Sequence, residues 1–336
     1  MYEVERNWSA APADTRYADP SLYLSALSIY DDSQNSSIDR FFSSRWLGPN
    51  KRNHDAKMTI NSLDYFASLV QDDASMPLFE AALSLGLDID PGLDLIVPQM
   101  ELDTLAVKLQ QRLPADASTV QKLRLLNHFF YQELGFCGNA NDYYHPDNSY
   151  LHRVISTRRG IPISLAMVYI ELAQQIGLQI RGVSFPGHFL MKLSVQSGDI
   201  ILDPFNGSSL SHEELEERLE PFIAPRPDGV QPPLGSYLQP APARDILVRM
   251  LGNLKAVYVE QSEWQRLLAV QERLVVLLPD DITERRDRGL AHARLERPQA
   301  ALVDIERYLA QRPYAADAET LRRKLPEWRD AAKRLS

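Results

Sequence analysis

Cysteine is nearly absent. The single thiol, Cys137, excludes an internal disulfide, and without a CxxC pair or a Cys/His cluster there is no standard zinc site. No apolar run approaches the ~18 residues of a membrane-spanning helix. The opening stretch MYEVERNWSAAPADTRYADP has no apolar core behind a basic start, so no secretory signal is expected. Basic residues are also in deficit, 36 against 45 acidic, for a formal net charge of −9. Broad nucleic-acid affinity needs a basic surface to displace counterions, so that class of partner is not expected. These absences together predict a soluble cytoplasmic protein with no membrane or nucleic-acid partner and no cofactor.

What is present is ordinary globular material. The 336 residues, 44% hydrophobic and 24% charged, are enough for two domains and an additional arm. Residues 1–60 are polar with scattered aromatics (Trp8, Tyr23, Phe41, Trp46), and read as an N-terminal extension that either packs on the body or leads into it. Helical periodicity begins at INSLDYFASLVQ and continues through PLFEAALSLGL. In ELDTLAVKLQQRL, Leu102, Leu105, Leu109 and Leu113 form one stripe. STVQKLRLLNHFFYQEL offers Ser118 as its cap and stops at Gly135. The Asn- and Tyr-rich loop that follows holds one short helical stretch, SYLHRVIST.

RRGIPISLAMVYIELAQQIG is the most distinctive helix. Proline stands where a first turn tolerates it, Gly177 stops the run, and polar residues make only a narrow stripe, so the helix is expected at the centre of a domain. After it the period falls to two. IRGVSF, FLMKLSV and IILDPF read as three strands, the last two joined by a hairpin turn at QSGD. In the second strand Phe189, Met191, Leu193 and Val195 alternate with a mostly polar face. Helices followed by an antiparallel meander imply an α+β domain over residues 61–220.

Residues 221–243, with seven prolines in their first 22 positions, read as an extended linker. Beyond them, 244–336 is helical and repeats at 34 residues. Under that shift Glu272 and Arg273 fall on Glu306 and Arg307, and Pro279 falls on Pro313. Paired helices at this period, closed by proline, are the tetratricopeptide pattern, and predict a protein or peptide partner.

The helix entrance is the candidate site. Its unpaired N–H groups favour a thiolate, carboxylate or phosphate. Downstream, FPGHFL places His188 just after a Pro-Gly turn, and LDPFNG places Asp203 at a strand end, with Asn206 in the same loop. These strings resemble the transglutaminase-like core. More closely, NSYLHRVISTRRGIPISLAMVYIELAQQIGLQIRGVSFPGHFL with ILDPFNG resembles the SirB family of bacterial proteins, over roughly residues 65–330. That resemblance implies a transglutaminase-like (papain-like) domain followed by tetratricopeptide repeats. In the wider superfamily a cysteine at the helix start attacks an amide, a histidine is the base, and an aspartate orients it.

Here the pattern departs. Aligning Gly-x-Cys with GIP puts Pro162 in the nucleophile's place, and proline cannot attack. Ser164 sits about 200° further round the helix, on another face. Cys137, in GFCGN, is the remaining thiol. It either folds across to His188, where its reactivity would rise, or packs as a small hydrophobe. His188 and Asp203 act as base and orienter, or simply hold turns. A hairpin symmetric about Ser197–Gly198 would set His188 opposite Gly207, leaving Asp203 four residues out of line, so pairing needs a tighter turn.

Asn139 and Asn148 in the loop, with Arg158, Arg159, Pro162 and Asn206, are candidate binding residues. The asparagines serve a ligand or fix turns. The arginines hold an anion or the terminal carboxylate of a peptide, or make surface salt bridges. A metal held by His145, His152 and His188 lacks the tight spacing it would need, so no metal site is assigned. The favoured function is a non-catalytic adaptor with a disarmed transglutaminase-like cleft. The alternative is a cysteine-dependent amidase, peptidase or acyltransferase built on Cys137, His188 and Asp203.

Overall fold

A computed structural model describes residues 61–223 and 232–335. The expected N-terminal extension and much of the expected linker therefore lie outside the described residues. The fold opens with α1 (Ser62–Leu69), α2 (Leu78–Ser84) with a 3-10 turn over Leu85–Asp88, and α3 (Ile96–Gln110). Then come α4 (Thr119–Asn127), β1 (Cys137–Gly138), α5 (Leu151–Thr157), β2 (Arg159–Gly160) and α6 (Pro162–Gln175). Strands β3 (Ile180–Val183), β4 (Leu190–Val195) and β5 (Gly198–Leu202) precede α7 (His212–Leu219) and the short α8 (Leu234–Tyr237). The remainder is α9 (Ala243–Glu260), α10 (Trp264–Leu277), α11 (Ile282–Arg294), α12 (Pro298–Gln311) and α13 (Ala318–Arg334).

The local signals explain these bounds. Ser118 caps α4 in a reciprocal box with Gln121, satisfying two otherwise orphaned N–H groups. Gly177 sits at φ +74°, a left-handed position that a helix stop requires and that a side chain would strain. Helix α6 is buried from Ile163 to Tyr169 and again at Leu172 and Ala173, as its narrow polar stripe predicts. It forms the centre of a large core that α3, α5 and the β3-β4-β5 meander pack around.

Two features differ from the sequence reading. The second face of β4 is covered at its start: Leu190 joins Val183, Phe185 and Ile201 under Leu215, Leu219 and Leu234, because α7 and α8 cover that end, while Ser194 stays exposed. For the same reason residues 232–243 are no free spacer. Leu234 is buried, and the Ala241 N–H donates to the Gly182 carbonyl at the edge of β3.

The repeats are visible as geometry. Helix α12 begins and ends 34 residues after α10 at both bounds. The first repeat pair does not stand apart from the α+β domain: α9 and α10 contribute Ile246, Leu247, Leu251, Leu254, Leu267 and Leu274 to the same core as α6. Tyr258 on α9 meets Tyr150 oxygen to oxygen at 2.7 Å, and Arg273 Nη2 on α10 lies 2.7 Å from Asp88 Oδ1. Among the described residues no helix is long and apolar enough to cross a membrane.

Candidate functional site

The entrance of α6 is assembled from three loops. Ile161 is its N-cap in extended conformation and Pro162 fills the first helical position, where a missing N–H costs nothing. Ser164 lies wholly inside. Its hydroxyl donates to the Asn148 carbonyl at 2.5 Å, and its oxygen accepts the Ile161 N–H at 3.1 Å. It therefore fastens the entrance from within.

Asn148, buried, holds the preceding loop. Its amide donates to the carbonyls of Asp142 and Tyr143 at 2.6 and 3.1 Å, and its side-chain oxygen accepts from Asn139 at 3.0 Å. Both asparagines thus fix turns. The two arginines are tied down as well. Arg158, left-handed at φ 60°, reaches Glu101 at 2.7 Å and lies over the Phe136 ring. Arg159 donates to the Gly135 carbonyl at 2.7 Å.

Cys137 does fold across to this entrance. Strand β1 pairs parallel with β2, Cys137 opposite Arg159, and the Cys137 N–H donates to the Arg158 carbonyl at 3.0 Å. Its neighbour Gly138 donates to the Phe205 carbonyl, and a Cβ at 138 would run into the Phe205 ring, so the DPFNG loop is closed against β1. The thiol is half-buried, and among the described residues no hydrogen bond joins it to His188.

The β4–β5 hairpin is tighter than the symmetric expectation. Val195 pairs with Gly198 across a two-residue loop, and Met191 pairs with Leu202. Continued outward, this register sets His188 against Phe205 and leaves Asp203 two positions away instead of four. That shift does not produce a pair. The Asp203 carboxylate accepts from Arg218 Nη1 at 2.9 Å and from the Phe205 N–H at 2.9 Å, and no hydrogen bond to His188 is found among the described residues. Of the two roles expected for Asp203, the hydrogen bonds observed are those of a turn: α7 brings Arg218 within reach, and the charged guanidinium is a strong partner for the carboxylate. Nothing in the string HEELEERL marks Arg218 for this beyond its place on an amphipathic helix.

His188 closes a turn through its N–H to the Phe185 carbonyl, with Gly187 at φ +67°, and its ring stands edge-on to Phe222. Burial pushes its pKa down to about 4; the Arg218 and Arg249 charges add to the fall and Asp203 opposes it. The imidazole is thus neutral at ordinary pH. Arg249, from α9, donates to Ser184 and to the Phe185 carbonyl, so the first repeat helix itself grips the histidine turn.

Asn206 caps its own loop by accepting from Ser208 N–H at 2.9 Å. Around it, Tyr131 donates to the Pro204 carbonyl and Asn127 to the Gly207 carbonyl, contacts the motif string alone did not reveal. No group of three metal-binding side chains occurs among the described residues, and His152 is buried beside Gly86.

Residues 98–252 match the model of the transglutaminase-like superfamily, and residues 254–326 match a tetratricopeptide repeat model. A UPF0162 protein of Xylella fastidiosa is 39% identical over 257 residues, which is 75% of this protein and 89% of the relative. A UPF0162 protein of Vibrio cholerae is 30% identical over 254 residues, 75% and 92% of the two lengths. Protein SirB1 of Salmonella typhimurium is 29% identical over 223 residues, 66% and 81% of the two lengths. No solved structure matches the sequence.

Proposed function

This chain belongs to the UPF0162 family, alongside SirB1, and from that membership we propose that it is a non-catalytic binding protein. Its transglutaminase-like domain offers a peptide-like ligand a cleft without a nucleophile, and its tetratricopeptide helices offer a protein partner a surface. The observation that carries this reading is Pro162 at the first position of α6, where relatives of the wider superfamily present sulfur. Its neighbours support it. Ser164, Asn148 and Asp203 each complete a turn or a cap, so none is left over for proton transfer.

One observation favours the second reading, a cysteine-dependent amidase or acyltransferase: the β1–β2 pairing that brings Cys137 to the helix entrance. The two readings differ in whether His188 controls the thiol. The test is the rate at which iodoacetamide alkylates Cys137 in the full-length protein, with and without His188→Gln. A rate unchanged within about twofold is expected, since a thiol not coupled to a base reacts on its own ionisation. A fall of about tenfold or more would establish a thiol–imidazole couple and replace the binding reading with the enzymatic one.

A further inference from the structure

Helix α3 is apolar on two opposite faces. One face, with Leu102, Leu105, Ala106 and Leu109, is buried in the core. On the other, Ile96, Val97, Met100 and Val107 are 63%, 61%, 61% and 50% exposed. At 100° per residue Ile96, Met100 and Val107 fall within one narrow stripe, running most of the ~22 Å length of the helix. Single exposed apolar residues need no account, but an aligned row of them marks a docking face.

The surroundings of the stripe are acidic. From residue 85 to residue 107 there are five carboxylates and no lysine or arginine. Asp88 and Glu101 are engaged by Arg273 and Arg158, whereas Asp90, Asp94 and Asp103 have no cationic partner among the described residues. A partner for this face should be apolar along one side and basic around it.

Such a segment lies in the protein's own N-terminal sequence. Ile38, Phe41, Phe42 and Trp46 are spaced i, i+3, i+4, i+8, the anchor pattern of helix-in-groove recognition. Residues 38–60 hold five basic residues against two acidic, within a protein whose overall charge is negative. The point of attachment suits it too. Ser62, at the start of α1, donates to Asp88, which closes the turn leading toward α3. Leu47 is 14 residues from Asn61, a tether spanning up to about 50 Å, more than twice the length of α3. A tether of this kind raises the local concentration of the segment to the order of millimolar.

The geometry points to the exposed face of α3 as the docking site for the protein's own residues 38–47. Docked there, that segment would bring apolar anchors to Ile96, Met100 and Val107 and two arginines to a face whose Asp90, Asp94 and Asp103 lack a cationic partner among the described residues.

The test is photo-crosslinking in the full-length protein, with a benzophenone amino acid in place of exposed Val107 and the linked peptides identified by mass spectrometry. The expected product joins position 107 to the Phe41–Arg45 peptide within one molecule, at a yield independent of protein concentration. Phe41→Ser with Trp46→Ser, which leaves the described body untouched, should lower that yield at least fivefold. Cross-links only to a second copy, cross-links that avoid residues 38–47, or none at all would each overturn the assignment.

Discussion

At the mouth of α6 most polar side-chain bonds go to peptide groups, with Asn139 on Asn148 and Arg218 on Asp203 as side-chain partners, and in the helical repeats the buried polar side chains answer to one another. Ser164, Asn148 and Asp203 each bond to backbone N–H or C=O groups of nearby loops. In the repeats, Lys255 of α9 reaches Glu284 and Asp287 of α11 at 2.9 and 2.6 Å. Arg286 then links Asp287 to Asp317, just ahead of α13, and Tyr308 of α12 donates to the same Asp317. The first arrangement shapes loops. The second spans four helices and ties their stacking to a single set of charges, a use of buried ions for register more than for net stability. Side chains bonded to loop peptide groups set the shape of the mouth, whereas a series of charges between helices sets where each helix lies.

The largest effect that would break this comparison is expected at Lys255. Lys255→Met leaves Glu284 buried without its cation, while Asp287 keeps Arg286, and should cost about 3–5 kcal/mol in urea unfolding. Replacing Lys255 and Glu284 together by apolar residues, with Asp287 left to Arg286, should recover most of that loss. A single variant costing under ~1 kcal/mol would mean that the network is solvated and the contrast false. At the mouth, Ser164→Ala removes one hydroxyl from two backbone partners and should cost about 1–3 kcal/mol in the same unfolding measurement.

How much of this was legible in sequence follows from the same contrast. Periodicity exposed the helices and the 34-residue shift, since burial along one element is a one-dimensional signal. The strings around Gly160, His188 and Asp203 pointed to the domain and its entrance. Partnerships across the fold were not legible. Arg273 and Arg307 occupy equivalent repeat positions, yet the first is buried over Phe66 and the second is exposed, because α10 packs on the α+β core and α12 does not. The engagement of Asp203 by Arg218 depends on α7 folding back over the sheet, and the two-residue hairpin that realigned Asp203 depends on a turn that QSGD alone leaves open.

The finest test concerns His188. Its pKa falls from 6.5 to about 4 on folding, chiefly through burial, so between those values the unfolded state binds more protons than the folded one. Stability therefore rises with pH across that window, is fully present above about 6.5, and is lost as the pH falls toward 4. After allowance for the part of the ring that reaches solvent, the change should be on the order of 2 kcal/mol. His188→Gln should remove it, leaving the rest of the acid limb of the stability curve in place. A curve unaltered by that substitution would mean an ordinary, hydrated imidazole, which near neutral pH is a far better proton acceptor than one held at about 4. The mouth would then keep one uncommitted base, and its contrast with the repeats would fail at His188.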